Sequence, residues 1–426
     1  MNIFLNYFIY NIRNKFFFDL GGENLESIKY FDNAATTRVK EEVLRAMWPY
    51  LMEYYGNASA MYSLGRRNKK AIEESRKNVA SIIGAKPNNI IFTSCGSESD
   101  NMAIKGFAHA NKFKGNHIIT SKIEHHAVLE SCEQLEKNGF KVTYLNVDKD
   151  GIINFEELIN SINNETILIT IMLANNEIGT IEPIEKVARI AKEKNVVLHT
   201  DAVQAVGNID VDVEKLGVDM LSLSGHKLYG PKGIGALYVR DGIKLEKFLN
   251  GGHQEKNMRA GTENVAGIVG LGEACRLAKA NLPRHKKYLA MLRNYYFEQI
   301  QNIFPNCKVN GPLVNSVNNM NDSHINLSIS SDNNELLNNR LPGNANVSFP
   351  QVDASTVLIK LDELGICASA GSACNTGITS PSHVLTSIGL DKELAFGALR
   401  VTFGEDNTVE DVDFLVKSIK SIIEKL

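Results

Sequence analysis

A lysine in a loop of small and hydroxyl residues is the first candidate for chemistry in this chain. Lys227 ends the run Ser-Gly-His-Lys that begins at Ser224, directly after a predicted strand. Small residues let the backbone come close to an anion, His226 adds a hydrogen-bond donor, and a lysine there can form a Schiff base with a carbonyl cofactor. A lone loop lysine is otherwise a solvated charge, so this interpretation needs support from other positions.

A carboxylate at the end of a predicted buried strand adds to this interpretation. Asp201 lies 26 positions before Lys227. A buried carboxylate is costly unless it is paired, so Asp201 is either a satisfied structural residue or the partner of a protonated pyridine nitrogen. Enzymes that use pyridoxal phosphate need that charge, because it holds the ring as an electron sink. Gln204 could then hydrogen-bond the phenolic oxygen of the ring.

The segment Ser-Cys-Gly-Ser-Glu that begins at Ser94 joins a predicted strand to a predicted helix N-terminus. Unpaired backbone N–H groups at such a terminus can hold a phosphate. The same residue types also fit a plain capping box, and both interpretations can hold together.

Six cysteines are spread over the chain, and none forms a CxxC pair, so we expect neither a metal site nor a dithiol. Cys132 and Cys275 fall in helical patterns and Cys367 in a strand, as packing residues do. Cys374 alone stands in a Gly/Ser/Thr-rich run, from Ala370 to Gly377, of the kind that gives mobility. A reactive cysteine needs access and an activated thiolate, so Cys374 is the candidate nucleophile.

The elements that must position these residues alternate between helix and strand from residue 72 to residue 240. This alternation predicts a largely parallel α/β sheet. The predicted strands are Ile90–Thr93, Ile118–Ser121, Lys141–Val147, Thr166–Leu173, Val196–Ala202, Met220–Ser224 and Ile234–Val239, and the predicted helices include Ala127–Lys137, Ile184–Glu193 and a terminal one through Val412 and Ile423.

Composition excludes several classes of protein. Of 426 residues, 43% are hydrophobic and 22% charged, and the formal net charge is −3. A net charge this close to zero gives no excess of positive charge for direct nucleic-acid binding. The absence of an 18-residue apolar run argues against a membrane helix. In the first 29 residues the positive charges Arg13 and Lys15 follow the apolar stretch, whereas a secretory signal has them before it. We expect an accessory, disordered extension there, with a weak targeting role left open.

Eight motifs in one order resemble the NifS/IscS-type cysteine desulfurases, which are fold-type I pyridoxal phosphate enzymes of the class V aminotransferase-like family. The resemblance runs from about residue 29 to the C-terminus, except for the Asn/Ser-rich stretch 314–338, which is predicted to be a surface insertion. The motifs are Asp32–Thr37, Cys95–Asn101, Glu124–His126, Asn175–Gly179, the Asp201/Gln204 pair, Ser224–Lys227, Gly251–Asn264 and Ser369–Gly377.

The resemblance implies a role for each matching residue. By this resemblance, Lys227 attaches the cofactor covalently, His125 stacks on the cofactor ring and transfers protons, and Cys374 carries the persulfide. The implied partners of the cofactor and substrate are Asp201 at the pyridinium nitrogen, Asn176 and Gln204 at the ring oxygen, Gly96, Ser97, Ser224 and His226 at the phosphate, Thr262 at the phosphate of a neighbouring subunit's cofactor, and Arg400 with Asn176 at the substrate carboxylate. On sequence alone, Arg400 fits a surface ion pair equally well.

The implied reaction converts L-cysteine to L-alanine and passes sulfur from Cys374 to an acceptor, either an iron–sulfur scaffold protein or a tRNA-thiolation relay. A cytoplasmic homodimer that binds no membrane is expected. The alternatives are a class V aminotransferase or selenocysteine lyase, and a catalytically degenerate scaffold that binds pyridoxal phosphate. Retention of both Lys227 and Cys374 argues against the scaffold.

The implied fold has two domains. A small α/β domain takes residues 30–45 and 282–426, with the insertion at 314–338, and a large cofactor-binding domain takes 46–281. Four positions depart from the family pattern without touching the proposed catalytic residues, namely Ala58 and Tyr62 in place of Pro and His, Ser97 in place of Thr, and Asn250 in a usual triple glycine.

Overall fold

The computed structural model describes residues 28–313, 339–370 and 381–426. The predicted insertion at 314–338, the candidate nucleophile Cys374 and all but the last two residues of the predicted N-terminal extension lie outside the described residues.

Twelve strands are formed within the described residues. In chain order they are β1 (Lys29–Tyr30), β2 (Ile90–Thr93), β3 (His117–Ser121), β4 (Lys141–Leu145), β5 (Thr166–Thr170), β6 (Val197–Asp201), β7 (Met220–Ser224), β8 (Gly235–Val239), β9 (Lys308–Val309), β10 (Asn344–Ser348), β11 (Ile366–Cys367) and β12 (Ala398–Thr402).

The helices of the same residues pack around these strands. They are α1 (Glu41–Met52), α2 (Ser63–Ile82), α3 (Gly96–Asn111), α4 (His126–Lys137), α5 (Phe155–Ser161), α6 (Ile184–Glu193), α7 (Val213–Leu216), α8 (Gln254–Asn257, one irregular turn), α9 (Val265–Ile303), α10 (Ala354–Asp362), α11 (His383–Ser387), α12 (Lys392–Phe396) and α13 (Val409–Ile423).

Seven strands form the main sheet, in the order β2-β8-β7-β6-β5-β3-β4. Strand β8 is antiparallel to both neighbours, and the other pairs are parallel. Every residue of β5 is buried, as its continuous run of apolar and β-branched residues predicts for a strand covered on both faces. The mixed α/β class and the mostly parallel sheet predicted from the sequence are confirmed.

The topology brings the ends of several strands to one edge of the sheet. Strands β2, β3, β5, β6 and β7 run in the same direction, so the segments that follow Thr93, Ser121, Thr170, Asp201 and Ser224 all leave from this edge. Open α/β sheets bind ligands at the carboxyl ends of their strands. Most of the predicted site residues belong to these segments.

The C-terminal residues form their own apolar cluster. It packs the second half of α9 against β10, β12 and α13, through residues that include Leu292, Tyr296, Val347, Val401 and Leu415. The antiparallel sheet β12-β10-β9 belongs to this part of the chain, and the parallel pair β1-β11 joins the first described strand to it.

Helix α9 crosses the predicted domain boundary between residues 281 and 282 without interruption, with Pro283 inside it. The division into two domains therefore stays a prediction. Among the described residues, no helix combines the length and apolar character that a membrane span requires.

Candidate active site

Lys227 lies just past the end of β7, in the single 3-10 turn Gly225–Lys227. The turn is tight, because a Cβ on Gly225 would lie 2.9 Å from Ile234 Cγ2 and 3.0 Å from the Pro231 carbonyl oxygen. The Lys227 ammonium donates hydrogen bonds to the carbonyl oxygens of Ala34, at 2.5 Å, and Ala35, at 2.8 Å. The amine is thereby held at the sheet edge by backbone from the start of the chain.

Asp201 and Gln204 lie beside it at the end of β6. The Val203 N–H donates to Asp201 Oδ1 at 2.8 Å, and Gln204 Nε2 donates to the Ala34 carbonyl at 2.9 Å. The Ala34 carbonyl therefore accepts from both Lys227 and Gln204. Burial raises the pKa of Asp201 to about 6, and the Val203 hydrogen bond and the charge of Lys227 oppose that rise.

The N-terminus of α3 forms a cradle between these residues. A Cβ on Gly96 would lie 2.7 Å from Val203 Cγ2 and 3.6 Å from Ser224 Cβ, so only glycine lets the helix come this close. Cys95 Sγ caps the helix by accepting from the Glu98 N–H at 3.4 Å. Glu98 in turn accepts from the Ser94 N–H at 2.6 Å, so the capping interpretation holds with cysteine as the cap.

Ser224 and His226 differ in their hydrogen bonding. The Ser224 hydroxyl is buried and has no hydrogen-bond partner among the described residues. His226 Nδ1 lies 3.1 Å from Thr36 Oγ1. Burial, together with the charges of Lys227 and Lys232, lowers the pKa of His226 to about 4.

His125 is held as a neutral proton donor. It is the N-cap of α4, and its Nδ1 accepts from the Ala127 N–H at 3.1 Å. Because Nδ1 is an acceptor, the ring proton sits on Nε2. Burial and the nearby charges of Lys227, His126 and His383 lower the pKa of His125 to about 4, so the ring stays uncharged at neutral pH.

Arg400 on β12 is buried, and it pairs with a residue from the far end of the chain. Its Nη2 lies 2.7 Å from Asp32 Oδ1, and its Nη1 donates to the Asn176 carbonyl at 3.2 Å. The sequence left open a surface ion pair for Arg400. Arg400 does form an ion pair, but the pair is buried, so the expected surface location is wrong. The contact also brings Asn176 and Arg400, the two predicted substrate-binding residues, together.

Thr262 is exposed, on a segment that is anchored at two points. Arg76 forms a buried bidentate pair with Glu255, at 2.7 and 2.8 Å. Arg259 pairs with Glu98 at the start of α3. From the first anchor onward, three residues of the α8 turn have left-handed backbone without glycine, with φ of 44°, 57° and 68° at Glu255, Lys256 and Asn257. L-residues seldom adopt this conformation.

The described cysteines are all free: Cys95, Cys132, Cys275, Cys307 and Cys367. Burial raises the pKa of the Cys132 and Cys275 thiols, and of the Cys367 thiol, which suits packing residues better than nucleophiles. Cys374 lies outside the described residues, but the described residues flanking its segment approach the site. The Ser369 backbone pairs with that of Arg400, and Ser382 Oγ donates to Glu177 Oε2 at 2.6 Å.

The residues at this edge fit pyridoxal phosphate. The partnerless Ser224 hydroxyl and the close backbone at Gly96 suit a phosphate at the α3 N-terminus. A buried carboxylate at Asp201 suits a protonated ring nitrogen, Gln204 can address a ring oxygen, and Lys227 offers an amine for the aldehyde.

The segment Asp32–Thr37 takes part in the site more than the sequence analysis predicted. Ala34 and Ala35 hold Lys227, Asp32 pairs with Arg400, and Thr36 contacts His226. The Thr37 hydroxyl donates to the His226 carbonyl and accepts from the Tyr229 N–H. In the sequence, the motif indicated only the family resemblance. None of its residue types predicts that its backbone and side chains would position Lys227, Arg400 and His226.

Comparison with known proteins agrees with this geometry. The aminotransferase class-V family model matches residues 29–415. The chain is 48% identical over 396 residues to cysteine desulfurase IscS of Clostridium botulinum (strain Hall), covering 93% of this chain and 94% of that protein. It is also 48% identical over 408 residues to cysteine desulfurase IscS of Methanosarcina thermophila, covering 95% of each. A solved NifS-like protein superposes with a TM-score of 0.83 at 37% identity, covering 94% of this chain and 100% of that one.

Proposed function

The chain belongs to the class-V aminotransferase family and is a pyridoxal-phosphate-dependent cysteine desulfurase, and from that premise we propose that it leaves the sulfur of L-cysteine on Cys374. The observation that carries the proposal is the shared Ala34 carbonyl, which places Lys227 and Gln204 together beside Asp201 at the sheet edge.

The cofactor supplies a conjugated ring that stabilises negative charge at the substrate's α-carbon. Its proposed holders are Lys227 for the aldehyde, Asp201 for the ring nitrogen, Asn176 and Gln204 for the ring oxygen, and Gly96, Ser97, Ser224 and His226 for the phosphate. The uncharged ring of His125 would stack on it.

Two residues handle protons in this proposal. The Lys227 amine takes the proton from the substrate's α-carbon and later returns a proton. His125 presents its Nε2–H as a donor, because Nδ1 already accepts from Ala127. Its low pKa keeps that donor neutral, so it adds no charge beside Lys227.

Arg400 binds the substrate carboxylate in this proposal. Asp32 and the Asn176 carbonyl fix the plane of its guanidinium, and a guanidinium in a fixed plane is suited to a carboxylate. The Asn176 side chain assists from the same turn.

Cys374 then attacks the substrate sulfur. The new S–S bond forms as the C–S bond breaks, and the electron pair of the broken bond leaves with the carbon, which is protonated to give alanine. Cys374 ends as a persulfide, so no external oxidant or reductant is consumed. The contacts of Ser369 with Arg400 and of Ser382 with Glu177 support this role, because they tie both flanks of residues 371–380 to the substrate-binding elements.

The persulfide sulfur would pass to an iron–sulfur scaffold protein or another acceptor. A reducing, cytoplasmic setting suits the five free cysteines of the described chain, and it would keep Cys374 reduced between turnovers.

A homodimer completes the proposal. Large apolar side chains stand exposed close together in sequence, at Leu51, Met52, Tyr55 and Met61, the last 89% exposed. An apolar patch formed by these side chains would suit an interface between two copies of the chain. Thr262 is exposed on an anchored segment, where it could reach a second copy's phosphate site. Sedimentation of the wild type and of Met61→Asp would test the interface.

The test of the function is incubation of the loaded protein with L-cysteine in the presence of a thiol reductant, with alanine, sulfide and keto acid measured together. Equal amounts of alanine and sulfide support the desulfurase reaction. A keto acid would indicate transamination, and no product would indicate a scaffold. Selenocysteine run in parallel separates a desulfurase from a selenium-selective lyase.

A further inference from the structure

Three carboxyl groups are buried together behind the candidate site. Asp100 on α3 is 1% exposed, Glu124 between β3 and α4 is 0% exposed, and Asp201 at the end of β6 is 5% exposed. Burial raises the pKa of Asp100 and of Glu124, the latter to about 8, and the charge of Asp201 adds to both increases. Three charged acids in one buried place would need more positive charge than the surrounding residues supply.

The three carboxyl groups receive different numbers of hydrogen bonds. Asp201 Oδ1 accepts from the Val203 N–H. Glu124 Oε1 accepts from Ser121 Oγ at 2.7 Å and from the Met172 N–H at 2.9 Å, but its Oε2 has no partner among the described residues. Asp100 Oδ1 likewise has none among them, although the Ser222 hydroxyl hydrogen-bonds to the same carboxyl group and partly opposes the rise in its pKa. A charged oxygen buried without a donor is strongly unfavourable, so Asp100 and Glu124 each suit a protonated acid.

His199 does not supply the missing positive charge. It lies 3.7 Å from Asp100, measured from Nε2 to Oδ1. Its Nδ1 lies 2.8 Å from Thr170 Oγ1 and its Nε2 3.0 Å from Ser222 Oγ, and hydroxyl groups can donate as well as accept. A neutral ring satisfies both contacts, and burial lowers its pKa to about 3.

Among the described groups around the three carboxyl groups, the positive charge that acts on Asp201 is that of Lys227. Lys227 acts on Asp201, and Cys95 acts on Asp100 as a further acid. The Lys227 ammonium is itself bound to two carbonyls and would be consumed as the attachment point of the cofactor. The protonated ring nitrogen of the cofactor is then the cation left for this cluster.

We propose that this cluster carries a single negative charge, on Asp201, and that Asp100 and Glu124 are positioning residues that each hold a proton. In this arrangement two neutral acids pack behind Asp201 without repelling its charge. Asp201 stays ionised and the ring nitrogen stays protonated, as the chemistry of the cofactor requires. The inference rests on the proposed role of Asp201.

The test is infrared spectroscopy of the loaded enzyme at neutral pH, which detects the carbonyl stretch of a protonated carboxylic acid. Asp100→Asn and Glu124→Gln mimic the neutral acids in shape. Each variant should fold, lose one carboxylic-acid band and keep the other. Glu182 is a further buried acid with a raised pKa and contributes its own band, so the assignment uses the difference spectra.

The second readout is the pH titration of the bound cofactor's absorbance without substrate. Both variants should leave the midpoint unchanged, because neither removes a charge. A midpoint moved by about one unit or more in either variant would mean that a nearby charge was lost, and it would overturn the inference. So would the absence of an aspartic-acid band from wild-type protein labelled with ¹³C-aspartate, which needs no variant to fold.

Asp201→Asn separates this inference from the proposed function. It should weaken cofactor retention and alter the absorbance while the Asp100 and Glu124 bands remain. If Asp201→Asn changed neither property, the proposed role of Asp201 would fail, and the infrared bands would still decide where the protons lie.

Discussion

Arg400 and Asp32 form a buried ion pair, 2.7 Å from Nη2 to Oδ1, that joins β12 to the segment following β1. The pair brings together residues 368 positions apart. It fixes a guanidinium beside the turn that contains Asn176. The pairing does not remove the proposed role of Arg400 in carboxylate binding, because guanidinium carries five N–H donors.

Arg400→Lys should raise the KM for L-cysteine by about 10-fold or more, since a charge-assisted hydrogen bond to the substrate carboxylate is lost. The kcat and the absorbance of the bound cofactor should change much less. The matched control is Arg38→Lys, which alters an exposed ion pair with Asp406 and should leave KM unchanged. Steady-state kinetics decides the matter, and an unchanged KM for Arg400→Lys would assign Arg400 a purely structural role.

Borohydride reduction of the loaded protein should fix the cofactor to a peptide that contains Lys227. The 3-10 turn and the two carbonyls of Ala34 and Ala35 hold this amine at the sheet edge. Lys232, in the next loop, is the internal control, and Lys232→Arg should label as the wild type does. Peptide mass spectrometry that found the label on Lys232, or none at all, would remove the basis of the mechanism.

Glu124 predicts a pH dependence of stability. Its pKa is raised by burial to about 8, whereas the unfolded chain ionises near the ordinary value of about 4.3. Between these values the folded state holds a proton that the unfolded state has released. The free energy of unfolding contributed by this group therefore falls as pH rises, by up to about 1.4 kcal/mol per pH unit.

Glu124→Gln isolates this effect. Relative to the variant, the wild type should lose stability from about pH 4.5 to pH 8 and show no further change below that window. Denaturant unfolding of both proteins at several pH values measures the difference. A difference that stayed constant with pH would show that Glu124 is ionised in the folded state.

Replacing residues 314–338 with a short linker should leave the cofactor spectrum and the oligomeric state unchanged. Arg340 is buried, and its Nη1 donates to the carbonyls of Asn310, at 2.9 Å, and Pro312, at 3.0 Å. The two flanks are thus held together independently of the segment between them. A change in loop length costs only about 0.6 kcal/mol per doubling.

Arg340→Lys in the full-length chain is the matched control for that replacement, because it opens the junction and should lower the Tm. Thermal unfolding compares the two proteins. Failure of the shortened chain to fold would show that residues 314–338 pack as a structural element.

Local patterns in the sequence predicted the elements that carry the site, because each has its own signal. The helix Ile184–Glu193 and the strands Ile90–Thr93 and Met220–Ser224 have the predicted bounds. The strand that begins at Thr166 ends earlier than predicted, at Thr170, because its apolar run continues past the last ladder pairing. The strand that begins at Lys141 ends at Leu145, where the next backbone N–H, of Asn146, donates to Glu157 Oε2 instead of to a neighbouring strand.

The contacts that complete the site were not predictable in this way. Ala34 and Lys227 are 193 positions apart, and alanine has no side-chain group that indicates a hydrogen-bonding role. The buried pairing of Arg400 with Asp32 and the left-handed turn at Glu255–Asn257 likewise depend on tertiary contacts. Sequence periodicity reports which face of an element is buried, and it carries no information on which distant segment will cover that face.

The most direct test of the account is the mass of Cys374 after the loaded enzyme has reacted with L-cysteine. The wild type should gain one sulfur atom there, removable by reductant, and none at Cys95 or Cys367. Cys374→Ser should fold, bind pyridoxal phosphate and bind L-cysteine, but it should make almost no alanine, because a serine hydroxyl is scarcely ionised at neutral pH and attacks sulfur poorly. Near-normal alanine and sulfide from Cys374→Ser, or the added sulfur on another cysteine, would contradict the account and favour direct elimination.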